Sequence, residues 1–203
     1  MFFDKHAEKW DSKRRIERAK IISKEIIKSV EIKDNFKAMD FGGGTGLITF
    51  NLYDKLKNII LVDASNKMIE VVKEKINQFN IKNVKPIQVK LDEEKIDEND
   101  FDIIISSMAL HHVVNLQKTI DELYKYLKKD GQICIVELLK GEETFHQNEE
   151  NFKGHDGFKQ EQLKEYLKKA GFKNIESRIF YTGKKENPEK KIEYNLFIMT
   201  AKK

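Results

Sequence analysis

The chain has 203 residues, of which 39% are hydrophobic, 10% aromatic and 35% charged; that is enough apolar side chain for a core without staples and too much for a disordered segment. Its one cysteine, Cys134, excludes an internal disulfide framework and a cysteine-built zinc site. The net charge of +4 arises from 38 basic and 34 acidic residues of interspersed sign, and only Arg14, Arg15, Arg18 and Arg178 are arginines, which weighs against a nucleic-acid partner. No apolar run reaches the roughly 18 residues that cross a bilayer. The opening MFFDKHAEKWD is charged by its fourth residue where a secretory signal would be apolar, so the sequence predicts a cytoplasmic protein.

The first predicted element is a helix over 11–32, with Ile16, Ala19, Ile22, Ile26, Ile27 and Val30 at helical spacing and charge on the opposite face. An alternation of strands and helices follows. Residues 36–41 read as a strand, then comes a glycine cluster and a helix over 46–56. The run NIILVD at 58–63 has strand length. Ser65 is placed to cap a helix over 66–79 whose Met68, Ile69, Val72 and Ile76 share one face. Strands at 84–90 and 101–107 come next, the second (FDIIISS) apolar on both faces, as a covered parallel strand is. A helix over 116–127 leads through a turn at Asp130-Gly131 into a strand over 132–139. Residues 141–157 are polar with scattered aromatics and read as a long loop or a short helix. A helix over 160–170 ends at Gly171, a suitable C-cap. Strands at 174–181 and 192–201 are joined by GKKENPEKK, too short for a crossover helix, so they pair antiparallel. The predicted class is α/β: a three-layer α/β/α sandwich, Rossmann-like, with a seven-stranded, mostly parallel sheet and an antiparallel C-terminal hairpin strand, forming one domain over 1–203.

Four glycines fall within Met39-Asp40-Phe41-Gly42-Gly43-Gly44-Thr45-Gly46-Leu47, where the first predicted strand of the alternation meets its helix. Glycine there lets the backbone turn tightly and lets a ligand approach the peptide groups; ligands of open α/β sheets bind beyond the carboxyl ends of the strands. Dinucleotide sites use G-x-G-x-x-G. Here Leu47 occupies the position of the third glycine, and a nicotinamide-dependent oxidoreductase stands as an alternative. Asp63 closes the second strand 17 residues after Gly46, close to the spacing of a carboxylate that accepts from ribose hydroxyls. A non-catalytic module that holds the cofactor and acts through a partner satisfies the same signals.

These residues resemble class I S-adenosylmethionine-dependent methyltransferases. Asp40-Phe41-Gly42-Gly43-Gly44-Thr45-Gly46, Leu61-Val62-Asp63-Ala64-Ser65 with Met68, Leu91-Asp92-Glu93, the run from Phe101 to His112 and Ala170-Gly171-Phe172 carry the resemblance. It is strongest to the small-molecule branch that includes the quinone-biosynthesis C-methyltransferases. The resemblance implies S-adenosylmethionine as cofactor, S-adenosylhomocysteine as its product, a small-molecule acceptor and no metal. It implies that Gly42, Gly43, Gly44 and Gly46, with Asp40 behind them, hold the methionine part. By the same likeness Asp63 holds the ribose, Ala64 and Met68 line the adenine, Leu91 and Asp92 close over it, and Ser107 and Met108 lie under the sulfonium. Residues 1–34 correspond to a helical flap in which Trp10 covers the cofactor, and 141–157 to a substrate-side loop. The amino-directed motif of nucleic-acid base methylation is absent, with Ser106-Ser107-Met108-Ala109 in its place.

Methyl transfer from a sulfonium is an in-line displacement that needs a placed nucleophile in a water-poor pocket and no covalent intermediate. A neutral nucleophile also sheds a proton, for which histidine is the natural acceptor near pH 7. His111 and His112 follow the fourth strand at the cleft end of the sheet, and His112 is the one expected to face the cleft. A metal site from Glu143, His146, His155 and Asp156 is conceivable on the 141–157 segment, where a solvated loop is the favoured reading.

Overall fold

The computed structural model describes residues 2–90, 93–141, 152–186 and 191–203. Its elements are α1 (Phe2–His6), α2 (Lys13–Ser29), β1 (Lys37–Phe41), α3 (Thr49–Leu52), β2 (Asn58–Asp63), α4 (Asn66–Gln78), β3 (Val84–Gln88), β4 (Phe101–Ser107), α5 (Leu116–Tyr126), β5 (Leu127–Leu138), α6 (Gln160–Ala170), β6 (Lys173–Glu186) and β7 (Lys191–Lys202). They form a seven-stranded sheet of order β3-β2-β1-β4-β5-β7-β6. The first five strands are parallel. β7 inserts between β5 and β6 and runs antiparallel to both. This is the Rossmann-like three-layer sandwich that the sequence predicts.

Side chains alternate across the central strands. On one face, Ile104 of β4 and Ile133 of β5 share a core with Ile120 and Leu123 of α5 and with Leu163 and Leu167 of α6. On the other face, Ile103 and Ile105 of β4, with Cys134 and Val136 of β5, meet Ala19, Ile22 and Ile26 of α2. Period-two burial on both faces is what two helical layers require of parallel strands. Ser65 caps α4 by accepting from the Met68 N–H at 3.2 Å, and α6 ends on Gly171, whose N–H donates to the Lys168 carbonyl at 3.0 Å.

Three elements differ from expectation. The helix expected over 46–56 is only Thr49–Leu52 followed by a 3-10 turn, Tyr53–Lys55. Asn51 explains the shortening: its side chain donates to the Leu47 carbonyl and its N–H to the Ile48 carbonyl, one residue short of an α-helical bond. β5 starts at Leu127, straight from α5, so Asp130-Gly131 is an irregularity inside the strand, opposite the register shift between Phe101 and Ile103 of β4. The terminal hairpin is longer than predicted and pairs out to Glu186 and Lys191.

The sheet also buries a charge that stability does not call for. Asp40, on β1, is 2% exposed and accepts from Thr49 Oγ1 at 2.6 Å. Burial, assisted by the nearby Asp63 charge and opposed by the Thr49 hydrogen bonds, raises its carboxyl from the ordinary 3.8 to about 6. The folded chain therefore holds this proton more tightly than the unfolded chain, and stability falls as pH rises between those two values, by about 3 kcal/mol in all. Asp40→Asn is expected to be more stable than the parent at pH 7.5 in urea unfolding, with the difference closing toward pH 4. A difference that stays constant over that range contradicts the assignment.

Candidate functional site

A cavity of about 550 Å³ opens beyond the carboxyl ends of β1, β2 and β4, in the size range of small-molecule sites. The turn after β1 forms one side. Gly42 stands at φ +67°, and a Cβ there would lie 2.3 Å from the Ala109 Cβ, so two backbones approach more closely than any other residue permits. Gly44, at φ +55°, has nothing within 4 Å of where its Cβ would be. The first glycine is required by the protein; the space beside the second belongs to the cavity.

Asp63 ends β2 beside this turn. Its Oδ2 accepts from the Gly44 N–H and its Oδ1 from the Ser65 N–H, each at 2.8 Å. Burial pushes the carboxyl up, the two N–H donors pull it back, and the charge of Asp4 adds to the rise. Each oxygen keeps acceptor capacity for a further donor. Ala64, Met68 and Val89 continue the wall with apolar surface.

Ser107, Met108 and Ala109 line the opposite side. Met108 stands at φ +56°, a left-handed conformation that costs a bulky residue roughly 1–3 kcal/mol, and its N–H donates to the Val136 carbonyl at 2.8 Å. Strain held by a neighbouring strand is a frequent mark of a functional turn.

The N-terminal segment closes over the cavity. Asp11 accepts from Thr45 Oγ1 and from Lys75 Nζ, both at 2.5 Å, and Lys75 also donates to the Thr45 carbonyl. Asp4 accepts from Ser65 Oγ at 2.6 Å. Next to Asp4 in the chain, Phe3 packs edge-on against Trp10 (5.6 Å between centroids) and against His112 (4.8 Å). The Arg15 guanidinium lies 4.0 Å over the Trp10 ring, with Nη1 donating to the Trp10 carbonyl.

Of the residues singled out from sequence, Trp10, Asp40, Gly42, Gly43, Gly44, Asp63, Ala64, Met68, Ser107, Met108 and His112 all line this cavity. Gly46 shapes the turn without reaching the lining. The two histidines separate. His112 faces the cavity, and its ring meets Phe152 at 5.5 Å. His111 is turned into the core, 1% exposed, with Nδ1 2.7 Å from Glu137 Oε2 and its backbone N–H donating to Oε1. His111 does not itself line the cavity: the buried carboxylate of Glu137 holds its ring beneath the turn that carries His112. Leu91 and Asp92 lie outside the described residues, as do Glu143 and His146. His155 packs on Phe158 at 5.1 Å, and no group of three metal-ligating side chains occurs among the described residues. Among the lining residues that were not anticipated are Arg15 and Arg18 of α2. Their signal was compositional, since three of the four arginines crowd into 14–18 of a lysine-rich chain.

A family model described as a methyltransferase domain matches residues 32–191. The uncharacterized methyltransferase C1347.09 of Schizosaccharomyces pombe is 33% identical over 158 residues, covering 71% of this chain and 56% of that protein. The ubiquinone/menaquinone biosynthesis C-methyltransferase UbiE of Citrobacter koseri is 31% identical over 106 residues, covering 50% of this chain and 42% of that one. The chain thus spans about half the length of the curated relatives it matches. A solved structure of a SAM-dependent methyltransferase from Aquifex aeolicus shares the fold, with a TM-score of 0.70 at 18% identity over 98% of this chain and 97% of that one. The family model takes in well over half of the sequence, and the chain belongs to the methyltransferase-domain family.

Proposed function

We propose that the protein transfers a methyl group from S-adenosylmethionine to a small-molecule acceptor, as one domain acting in the cytoplasm. The observation that carries this reading is the pairing of Gly44, open to the cavity, with Asp63, whose two oxygens are fixed by backbone N–H groups while retaining acceptor capacity. A dihydroxylated sugar presents two donors to such a carboxylate. The apolar run of Ala64, Met68 and Val89 suits an adenine face. Arg15, stacked on Trp10, offers a cation to the donor's carboxylate. The SAM dependence of the Aquifex aeolicus methyltransferase, and the standing of UbiE as a C-methyltransferase, support the choice of donor.

When bound, the donor supplies a methyl carbon activated by a positive sulfur, which a nucleophile takes by in-line displacement. The chain's own work is placement and exclusion of water. Trp10 and Phe3 cover the cavity, and Met108 and Ala109 present a rigid apolar wall to the reacting end. His112 faces the same space and is the group placed to take a proton at a ring nitrogen from a neutral nucleophile. Cys134 takes no part: it is fully buried, and burial pushes its thiol up.

Two outcomes test this reading. Gly44→Ala should remain folded, losing about 1–2 kcal/mol to the left-handed backbone, yet bind S-adenosylhomocysteine at least about tenfold more weakly by calorimetry; Gly42→Ala should instead lower the melting temperature steeply through its collision with Ala109. Equal donor-product affinity in the parent and Gly44→Ala contradicts the placement. His112→Ala should slow methyl transfer from labelled donor into cell extract by about 10²–10⁴-fold while shifting S-adenosylhomocysteine affinity by less than about threefold. Undiminished transfer removes His112 from the chemistry.

A further inference from the structure

The cavity wall contributed by α2 carries a positive charge for which the described residues provide no counter-ion. Arg15, Arg18, Ala19 and Ile22 stand three and four residues apart and so face one way. Arg18 donates from Nη1 to the Tyr194 hydroxyl at 3.0 Å, a neutral acceptor that is itself hydrogen-bonded to Tyr181. That contact uses one of the five N–H donors of a guanidinium. No carboxylate of the described residues stands within ion-pair distance of Arg18. The acids nearest in sequence are committed elsewhere: Asp11 to Lys75, and Glu25 to Arg178. Glu17 faces solvent. The surrounding charge is of the same sign, since Arg14 reaches the Lys184 carbonyl and Arg15 lies on the same face of the helix.

The place of Arg18 in the fold separates it from the donor. Tyr194 lies on β7 beyond Leu196, which pairs with Leu138 at the carboxyl end of β5. Arg18 is therefore tethered beyond β5 and β7, whereas Gly44 and Asp63 lie at β1 and β2, on the far side of β4 in the sheet order. Apolar wall from Ala19, Ile22 and Met108 lines the same cavity. A half-buried guanidinium with its donors in hand, oriented by a phenol and facing an apolar chamber, is built to take a planar or tetrahedral oxyanion.

Resting on the methyl-donor reading above, we infer that Arg18, positioned by Tyr194, binds an anionic group of the methyl acceptor, so that the acceptor is an amphiphilic small molecule carrying a carboxylate or a phosphate at the end away from the donor. An arginine serves here, in a chain that otherwise uses lysine, because a forked donor reads such a group through two hydrogen bonds and a lysine through one.

The test uses the whole chain saturated with S-adenosylhomocysteine and titrated with matched probes: benzoate against benzamide, octanoate against octanamide, and phenyl phosphate against phenol. At least one anion should bind about tenfold or more tighter than its neutral partner, the scale of a charge-assisted pair; whether it is a carboxylate or the phosphate identifies the group. Arg18→Met should bring the two partners to within about twofold, and Arg18→Lys should keep part of the preference. Unchanged affinity of Arg18→Met for S-adenosylhomocysteine confirms that the variant is folded and that the arginine serves the acceptor. Several outcomes overturn the inference: no anion outbinding its neutral partner, a preference that survives Arg18→Met, or a tenfold loss of S-adenosylhomocysteine affinity in that variant, which assigns Arg18 to the donor's own carboxylate. Failure of the parent chain to bind S-adenosylhomocysteine overturns the donor reading and this one with it, whereas binding without anion preference overturns the acceptor site alone.

Discussion

The carboxylate of Asp63 accepts from the Gly44 N–H through one oxygen and from the Ser65 N–H through the other, and so ties the turn after β1 to the start of α4. Much of the site follows from this arrangement. The glycine turn cannot open without breaking a charge-assisted bond, and the carboxylate cannot rotate away from the cavity without losing both donors. The cost is visible in its electrostatics. Asp40 is buried and Asp63, close by, is half-buried; desolvation pushes both carboxyls up, and the sheet tolerates them because backbone and hydroxyl donors partly compensate. Groups kept at the expense of stability at the carboxyl edge of a parallel sheet are the mark of a binding site.

The N-terminal segment completes the enclosure by using the same neighbourhood. Ser65 caps α4 and also donates to Asp4; Thr45 of the glycine turn donates to Asp11; Lys75 of α4 binds both Asp11 and the Thr45 carbonyl. The bonds of residues 4 and 11 thus hold the adjacent Phe3 and Trp10 against His112 and Arg15. The cover is latched to the elements that form the floor. α2 then delivers Arg18, bonded to Tyr194, to the lining of the same chamber.

Most of the alternation was legible because parallel strands covered on both faces leave continuous apolar runs such as FDIIISS, and amphipathic helices leave 3.6-residue spacing. The glycine turn, Asp63 and the Ser65 cap were legible because each depends on a local requirement: tight backbone, an acid at a strand end, a hydroxyl before a helix. What sequence could not give depends on contacts between distant elements. Which of two adjacent histidines enters the core is decided by Glu137, 26 residues later, and Arg18 acquires its orientation from Tyr194, 176 residues away. In the helix expected over 46–56, the Asn51 side chain bonds the Leu47 carbonyl and its N–H turns to the Ile48 carbonyl, where the α-helical pattern tightens and ends early. The strand β5 ran past Asp130-Gly131 because pairing with β4 absorbs the irregularity. Propensity describes segments; these features are decided by partners.

The most direct measurement is calorimetric titration of the purified chain, freed of nucleotides, with S-adenosylmethionine, S-adenosylhomocysteine and NAD in parallel. The account predicts saturable binding of the first two, near one per chain, and no heat from NAD. Binding of NAD with no heat from either sulfur compound would contradict it, and would mean that the turn at 42–46 and the carboxylate of Asp63 cradle a different ligand.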